Sequence, residues 1–195
     1  MTNFEFYYKL TYRRAKDETR IHWHRDDPPR LLTEAVKAGG HGRALDIGCG
    51  TGVNSVYMAQ HGYSVTAVDF VPQALPFGIR RAEREGVKIE FVAADITKFE
   101  TAGNFDLILD FGCFHGFNEK DRLLYRDKLL SWLAEGGQYV LGHFYRSDAF
   151  GIGPRGRKKE EIENFFAPEL KLENFILETD GKAISQYRFR RGMLE

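Results

Sequence analysis

The sequence predicts an α/β protein built on a mostly parallel sheet, with helices on both faces and an antiparallel hairpin at its end. Three observations predict it. From Arg43 onward, short apolar runs alternate with helical segments, the signature of strands joined by crossover helices. Runs such as Leu107-Ile108-Leu109 are apolar without interruption, as strands buried on both faces are. The last two runs, 172–178 and 183–190, are joined across Thr179-Asp180-Gly181-Lys182, and Asp-Gly between two strands is a hairpin signal.

Taken in order, the chain opens on an aromatic, charged stretch, Asn3 to Asp17, in which Phe4, Tyr7, Tyr8, Leu10 and Tyr12 are spaced as one helical face. Ile21-His22-Trp23-His24-Arg25-Asp26-Asp27-Pro28-Pro29 follows, where Asp27 can cap a helix and a proline in its first turn has no N–H to lose. That helix is expected from about Pro29 to Ala38, stopping at Gly39-Gly40. Strands are expected at Ala44–Ile47, Ser64–Val68, Ile89–Ala93, Phe105–Asp110 and Gln138–His143, with helices over 53–61, 72–85 and 119–134 between them. After Arg146 a Gly/Pro/Arg-rich loop, Gly151 to Arg157, leads to a helix over Lys158–Phe166 and then to the hairpin.

Length and composition set the limits. With 195 residues, 43% apolar and 29% charged, the chain suits one well-buried domain. No repeat or low-complexity linker divides it, so a single domain over residues 1–195 is expected, with 1–40 as an N-terminal helical lid. A formal net charge of +0, from 28 basic and 28 acidic residues, supplies no global field toward nucleic acid or an anionic membrane. No apolar run approaches the ~20 residues of a membrane span. Glu5 and Lys9 interrupt the first ten residues, which lack the apolar core of a signal peptide. Cys49 and Cys113 are expected to be reduced thiols in a cytoplasmic protein.

The chemistry gathers at Leu45-Asp46-Ile47-Gly48-Cys49-Gly50-Thr51-Gly52. Strand, glycine turn and helix start make a site for a nucleotide-like ligand, because glycine admits positive φ and close approach while the helix start offers free N–H groups. The dinucleotide pattern G-x-G-x-x-G needs a third glycine where Val53 stands, and no lysine follows Gly52 as a phosphate loop requires. Asp46, just ahead of the turn, would repel a pyrophosphate and welcome an ammonium. Asp69 closes the next strand, where an acid accepts from ribose hydroxyls, and Asp95 closes the one after. Each could singly be a cap or turn former; at the carboxyl ends of successive strands they converge on one crevice.

With Val68-Asp69-Phe70, Ala94-Asp95-Ile96, Phe105-Asp106-Leu107-Ile108-Leu109-Asp110 and Leu133-Ala134-Glu135-Gly136-Gly137, this stretch resembles the class I S-adenosylmethionine-dependent methyltransferases over about residues 43 to 143. The resemblance implies a doubly wound, mostly parallel seven-stranded sheet with an antiparallel C-terminal hairpin, the Rossmann-like methyltransferase fold. It also implies S-adenosyl-L-methionine as cofactor, with Asp46, Gly48, Gly50 and Gly52 at the methionine end, Asp69 on the ribose, and Phe70, Asp95 and Ile96 around adenine. Leu109-Asp110-Phe111-Gly112-Cys113-Phe114-His115-Gly116-Phe117 looks like the post-strand motif of the small-molecule thiopurine and thiol methyltransferases, which adds Asp110 to the cofactor set. Trp23 ahead of Asp27-Pro28-Pro29, and Gly153-Pro154-Arg155, are similar to that subgroup's cofactor-covering and substrate-facing segments. The histidines around Trp23 and the cysteine of the post-strand motif depart from it.

Methyl transfer from a sulfonium is an in-line displacement, so orientation and a dry pocket are the main requirements. A thiol acceptor supplies thiolate unaided, whereas an alcohol needs a positioned base, most often histidine. His143, ending the fifth strand, and His115, in the post-strand motif, are the candidate catalytic residues. A structural hydrogen-bonding role for His143, and a packing role for His115, are the plainer readings. Arg155 and His24 are candidates for the acceptor, Arg155 through guanidinium recognition of an acidic group, although a solvated basic loop explains Arg155 as simply. His22-x-His24 with Asp26 or Asp27 could bind a metal, but nothing fixes further ligands, and none is expected. The function so read is methyl transfer to a small molecule at sulfur or oxygen, without nucleic-acid or membrane partners. N-methylation of protein or RNA, and non-catalytic binding of S-adenosylmethionine, are the alternatives. Against the first, no Asn/Asp-Pro-Pro-aromatic signature follows the fourth strand.

Overall fold

A computed structural model describes residues 3–144, 156–178 and 184–193, with side chains from residue 6 onward. In chain order the helices and strands are α1 (Asn3–Arg14), α2 (Arg30–Gly39), β1 (Gly42–Ile47), α3 (Val53–Gln60), β2 (Tyr63–Asp69), α4 (Leu75–Arg84) and β3 (Ile89–Ala93), then β4 (Phe105–Phe111), α5 (Glu119–Trp132), β5 (Leu133–Phe144), α6 (Lys159–Phe166), β6 (Leu170–Glu178) and β7 (Ile184–Arg191). The strands form a seven-stranded, mostly parallel sheet flanked by helices and ending in an antiparallel pair. Backbone contacts group the chain into two compact units, Met1–Pro28 with Gly40–Phe99 and Pro29–Gly39 with Glu100–Glu195. α2 groups with the second unit.

In the first unit the order is β3-β2-β1, all parallel, with Leu45 opposite Thr66, Ile47 opposite Val68, and Asp69 opposite Ala93. Ala44, Leu45 and Ala67 are fully buried, which is why these strands carry no regular polar alternation. Two glycines set how closely the helices approach. A Cβ on Gly52 (φ +77°) would stand 2.7 Å from the Cα of Gly78, and one on Gly78 would stand 2.6 Å from the Phe91 ring. A glycine inside a helix costs about 1 kcal/mol relative to alanine; at Gly78 the close packing requires it.

In the second unit the order is β4-β5-β7-β6. β4 and β5 are parallel, with Asp110 opposite Leu141, and β7 runs antiparallel to both neighbours, with Tyr187 opposite Leu141 and Phe175. The inner face is aromatic: Tyr187 and Phe189 stack at 6.0 Å, and Phe166 packs on Tyr139 at 5.3 Å. α2 lies in this unit through its apolar face, Leu31, Leu32, Ala35 and Val36, with the Leu31 N–H donating to Gln186 over 2.9 Å.

The boundaries differ from expectation in a few places. The first helix ends at Arg14. α4 starts at Leu75 because residues 71–74 are held in a turn, Ala74 N–H to Val71 C=O at 2.9 Å. α5 stops at Trp132, since Leu133 is extended and already pairs with Phe105, so β5 begins five residues early and absorbs Gly136-Gly137 across a register shift. The hairpin turn 179–182 and loop residues 151–155, Arg155 included, lie outside the described residues. Among the described residues no helix is long and apolar enough to cross a membrane.

Candidate active site

In the first unit the site is built on the turn after β1. Gly48, Gly50 and Gly52 all take positive φ, 72°, 53° and 77°, a conformation costly for any residue with a Cβ. The turn is fastened to β2: the N–H groups of Gly48 and Cys49 both donate to the Val68 carbonyl, at 2.8 and 3.1 Å. Asp69 braces it from below, accepting from the Gly50 N–H at 2.9 Å and the Val71 N–H at 2.8 Å. Its burial pushes the carboxyl up to about 6, against the lowering pull of those two bonds. Asp46 is 1% exposed, and its carboxylate accepts from the Ser55 hydroxyl in the first turn of α3. Facing inward in this way, it ties strand to helix beneath the turn.

The segment before α2 covers the same turn. The Trp23 indole N–H donates to the Tyr12 hydroxyl over 3.0 Å, and that hydroxyl stands 3.0 Å from where a Gly50 Cβ would be. Trp23 packs edge-on to Tyr8 at 4.9 Å, and Tyr8 packs on the half-exposed Phe70 at 5.8 Å. His24 hydrogen-bonds Thr51 of the turn through Nδ1 (2.9 Å) and Asp26 through Nε2 (3.1 Å). Arg81 bridges the Thr51 carbonyl (3.3 Å) and Glu18 (2.9 Å). The structure therefore brings Trp23, His24, Phe70 and Asp69 to one glycine turn. Asp95 is exposed and closes its own turn by accepting from Thr97, while Ile96 is buried beside it.

In the second unit Asp110 is fully buried and accepts from the N–H groups of Gly112, Cys113 and Phe114 and from the Tyr125 hydroxyl at 2.8 Å. Tyr139 lies 3.2 Å from that hydroxyl. Burial pushes the Asp110 carboxyl up to about 6 despite these donors. Through these contacts the side chain shapes the post-strand turn. That turn carries His115, whose ring stands 6.3 Å from His143 and 4.6 Å from Phe144. His143 is 1% exposed, its Nδ1 donates to the Phe144 carbonyl at 2.7 Å, and its Nε2 has no partner among the described residues. Desolvation holds both imidazoles down at about 4, with Arg122 adding repulsion. Both are neutral at pH 7. No group of three or more potential metal ligands occurs among the described residues.

Sequence reasoning passed over Ser55, Thr51, Arg81, Tyr125 and Arg122. A signal existed for the last two: Arg122, Tyr125, Leu129 and Trp132 are the buried stripe of α5, spaced three, four and three apart.

Residues 44–137, slightly under half of the chain, match the model of the methyltransferase domain family (Methyltransf_25). Among curated relatives it is 27% identical over 145 residues to the 2-heptyl-1-hydroxyquinolin-4(1H)-one methyltransferase of Mycobacteroides abscessus, covering 71% of this chain and 64% of that protein. It is also 27% identical over 150 residues to the probable thiol methyltransferase 2 of Arabidopsis thaliana, covering 75% and 66%. The chain thus spans slightly less than two thirds of each relative. Among solved structures, the N-methyltransferase NodS of Bradyrhizobium japonicum in complex with S-adenosylhomocysteine superposes with a TM-score of 0.79 at 22% identity, over 96% of this chain and 98% of that one.

Proposed function

We propose that this protein transfers the methyl group of S-adenosyl-L-methionine to sulfur or oxygen of a small-molecule acceptor by direct in-line displacement. The observation that carries the reading is the glycine turn, with three positive-φ glycines over a buried Asp69 and a covering layer of Trp23 and His24. Its fit to the cofactor rests on the same features: a Cβ at Gly50 or Gly52 would crowd the Tyr12 hydroxyl or the Gly78 backbone, and α3 opens directly behind the turn, where a helix start offers N–H groups. In this reading Gly48, Gly50 and Gly52 seat the amino-acid end, Asp69 faces the ribose, Phe70 and Ile96 flank adenine, and Trp23 excludes water. When bound, the cofactor supplies an electrophilic methyl on a sulfonium sulfur.

The curated relatives named above act on small molecules, a hydroxyquinolone and a thiol by their names, which supports an acceptor of that size. His115 and His143, held near 4, are weak bases at neutral pH, whereas an efficient general base has a pKa near the working pH. That favours an acceptor that ionises by itself, as a thiol does with a pKa of about 8.5. His115 then orients the acceptor, and His143 supports it.

Calorimetry with S-adenosylhomocysteine, followed by labelled S-adenosylmethionine with a panel of thiols, phenols, amines and carboxylic acids, tests the proposal. Methylated thiol or phenol is expected. Absence of S-adenosylhomocysteine binding would refute the reading, and methylation confined to amines would move it to nitrogen.

A further inference from the structure

The second unit holds a cavity of about 340 Å³ lined by His115, Phe117, Arg122 and Arg157, with Glu119 and Glu161 also on its wall. That size is in the range of small-molecule pockets. Arg122 is the unusual member. It is 7% exposed, its Nε is buried with no hydrogen-bond partner, and its one hydrogen bond is a long 3.5 Å contact from Nη2 to the His115 carbonyl. Among the described residues no carboxylate forms an ion pair with it, and its guanidinium lies over the Phe114 ring at 5.0 Å. A buried guanidinium without a carboxylate is strongly unfavourable unless something else supplies the negative charge.

Neither acid of the cavity pairs with it directly, although the charges of Glu119 and Glu161 act on it through space. Glu161 is exposed, accepts the Lys158 N–H at 2.8 Å and faces Arg157 at 3.7 Å. Glu119 is exposed in the first turn of α5. The buried charge is therefore positive, the exposed wall is mixed, and His115 beside it is neutral. Guanidinium groups match the planar, two-oxygen face of a carboxylate or phosphate.

We infer that this cavity is the acceptor subsite and that Arg122, with Arg157, receives a carboxylate or phosphate group on the acceptor. The inference rests on the methyl-transfer reading. The substrate class is then a small molecule with an anionic group as well as its sulfur or oxygen nucleophile. Arg122 determines specificity for that group.

The full-length protein, saturated with S-adenosylhomocysteine, is titrated with benzoate, phenyl phosphate and the neutral benzyl alcohol. At least one anion is expected to bind roughly tenfold more tightly than the alcohol, the preference of a charge-assisted bond, and whichever anion binds distinguishes carboxylate from phosphate. Arg122→Gln should remove that preference and Arg122→Lys should restore part of it, with S-adenosylhomocysteine affinity unchanged in both. Equal affinity for anion and alcohol, or anion binding indifferent to Arg122→Gln, overturns the inference while cofactor binding leaves the methyl-transfer reading standing. If Arg122→Gln does not fold, the half-exposed Arg157→Gln decides in its place: weakened anion binding supports the subsite and unchanged binding overturns it. Loss of S-adenosylhomocysteine binding in the unaltered protein removes the methyl-transfer reading itself, and the acceptor assignment with it.

Discussion

The hydroxyl of Tyr125 donates to a carboxylate oxygen of Asp110 over 2.8 Å, and neither residue has any exposed surface. This bond crosses from α5 to the end of β4 and, with three backbone N–H donors, holds the turn that carries His115. Tyr125→Phe removes a donor from a buried carboxyl and leaves the Tyr139 hydroxyl without that neighbour. A loss of about 1–3 kcal/mol is expected in urea denaturation. A variant as stable as the parent would show that the three N–H groups suffice.

The buried acids and histidines oppose one another as pH changes. Asp69 and Asp110 stand near 6 when folded against an ordinary 3.8, so between about pH 4 and 6 the folded state binds more protons and their contribution falls as pH rises. His115 and His143 stand near 4 against an ordinary 6.5, so their contribution is lost as pH falls through the same window. Two acids and two imidazoles cancel in slope. Asp110→Asn should break the balance, making stability rise with pH by about 1.4 kcal/mol per unit relative to the parent over that window. Chemical denaturation at half-unit pH steps reads the difference, and parallel curves would refute it.

Gly52→Ala places a Cβ at a residue with φ +77° and 2.7 Å from the Gly78 backbone. Strain and overlap together should cost about 2–4 kcal/mol. Because the same residue starts α3, S-adenosylhomocysteine should bind at least roughly tenfold more weakly in the folded fraction, as expected for a site displaced by a fraction of an ångström. Thermal unfolding with and without ligand separates the two effects.

Asp69→Asn keeps the shape of the side chain but replaces one acceptor oxygen by an N–H₂ group, so it can no longer accept from both Gly50 and Val71. The proposed ribose contact loses its negative charge as well. Affinity for S-adenosylhomocysteine should fall roughly tenfold to a hundredfold, about 1.5–3 kcal/mol for hydrogen bonds to a charged group. Calorimetry showing unchanged affinity would remove Asp69 from the cofactor site.

What the chain determined by itself is whatever depends on near neighbours. Apolar runs and their alternation with helical periods specify the strands from β1 to β7, and a turn requiring positive φ at 48, 50 and 52 favours glycine at all three. The acids at the strand ends are likewise legible, since their position follows from the strands. The tertiary structure decided what those acids do. Asp46 meets Ser55 and Asp110 meets Tyr125, nine and fifteen residues on, and no local pattern says whether a carboxylate turns inward to such a donor or outward to a ligand. Arg122 is an intermediate case: its charge reads as solvated in a helix as polar as α5, while its spacing with Tyr125, Leu129 and Trp132 is visible in the chain. It is buried because the stripe it shares with Tyr125, Leu129 and Trp132 packs inward. Burial of a charge is a property of what lies opposite, and that is set only when distant segments meet.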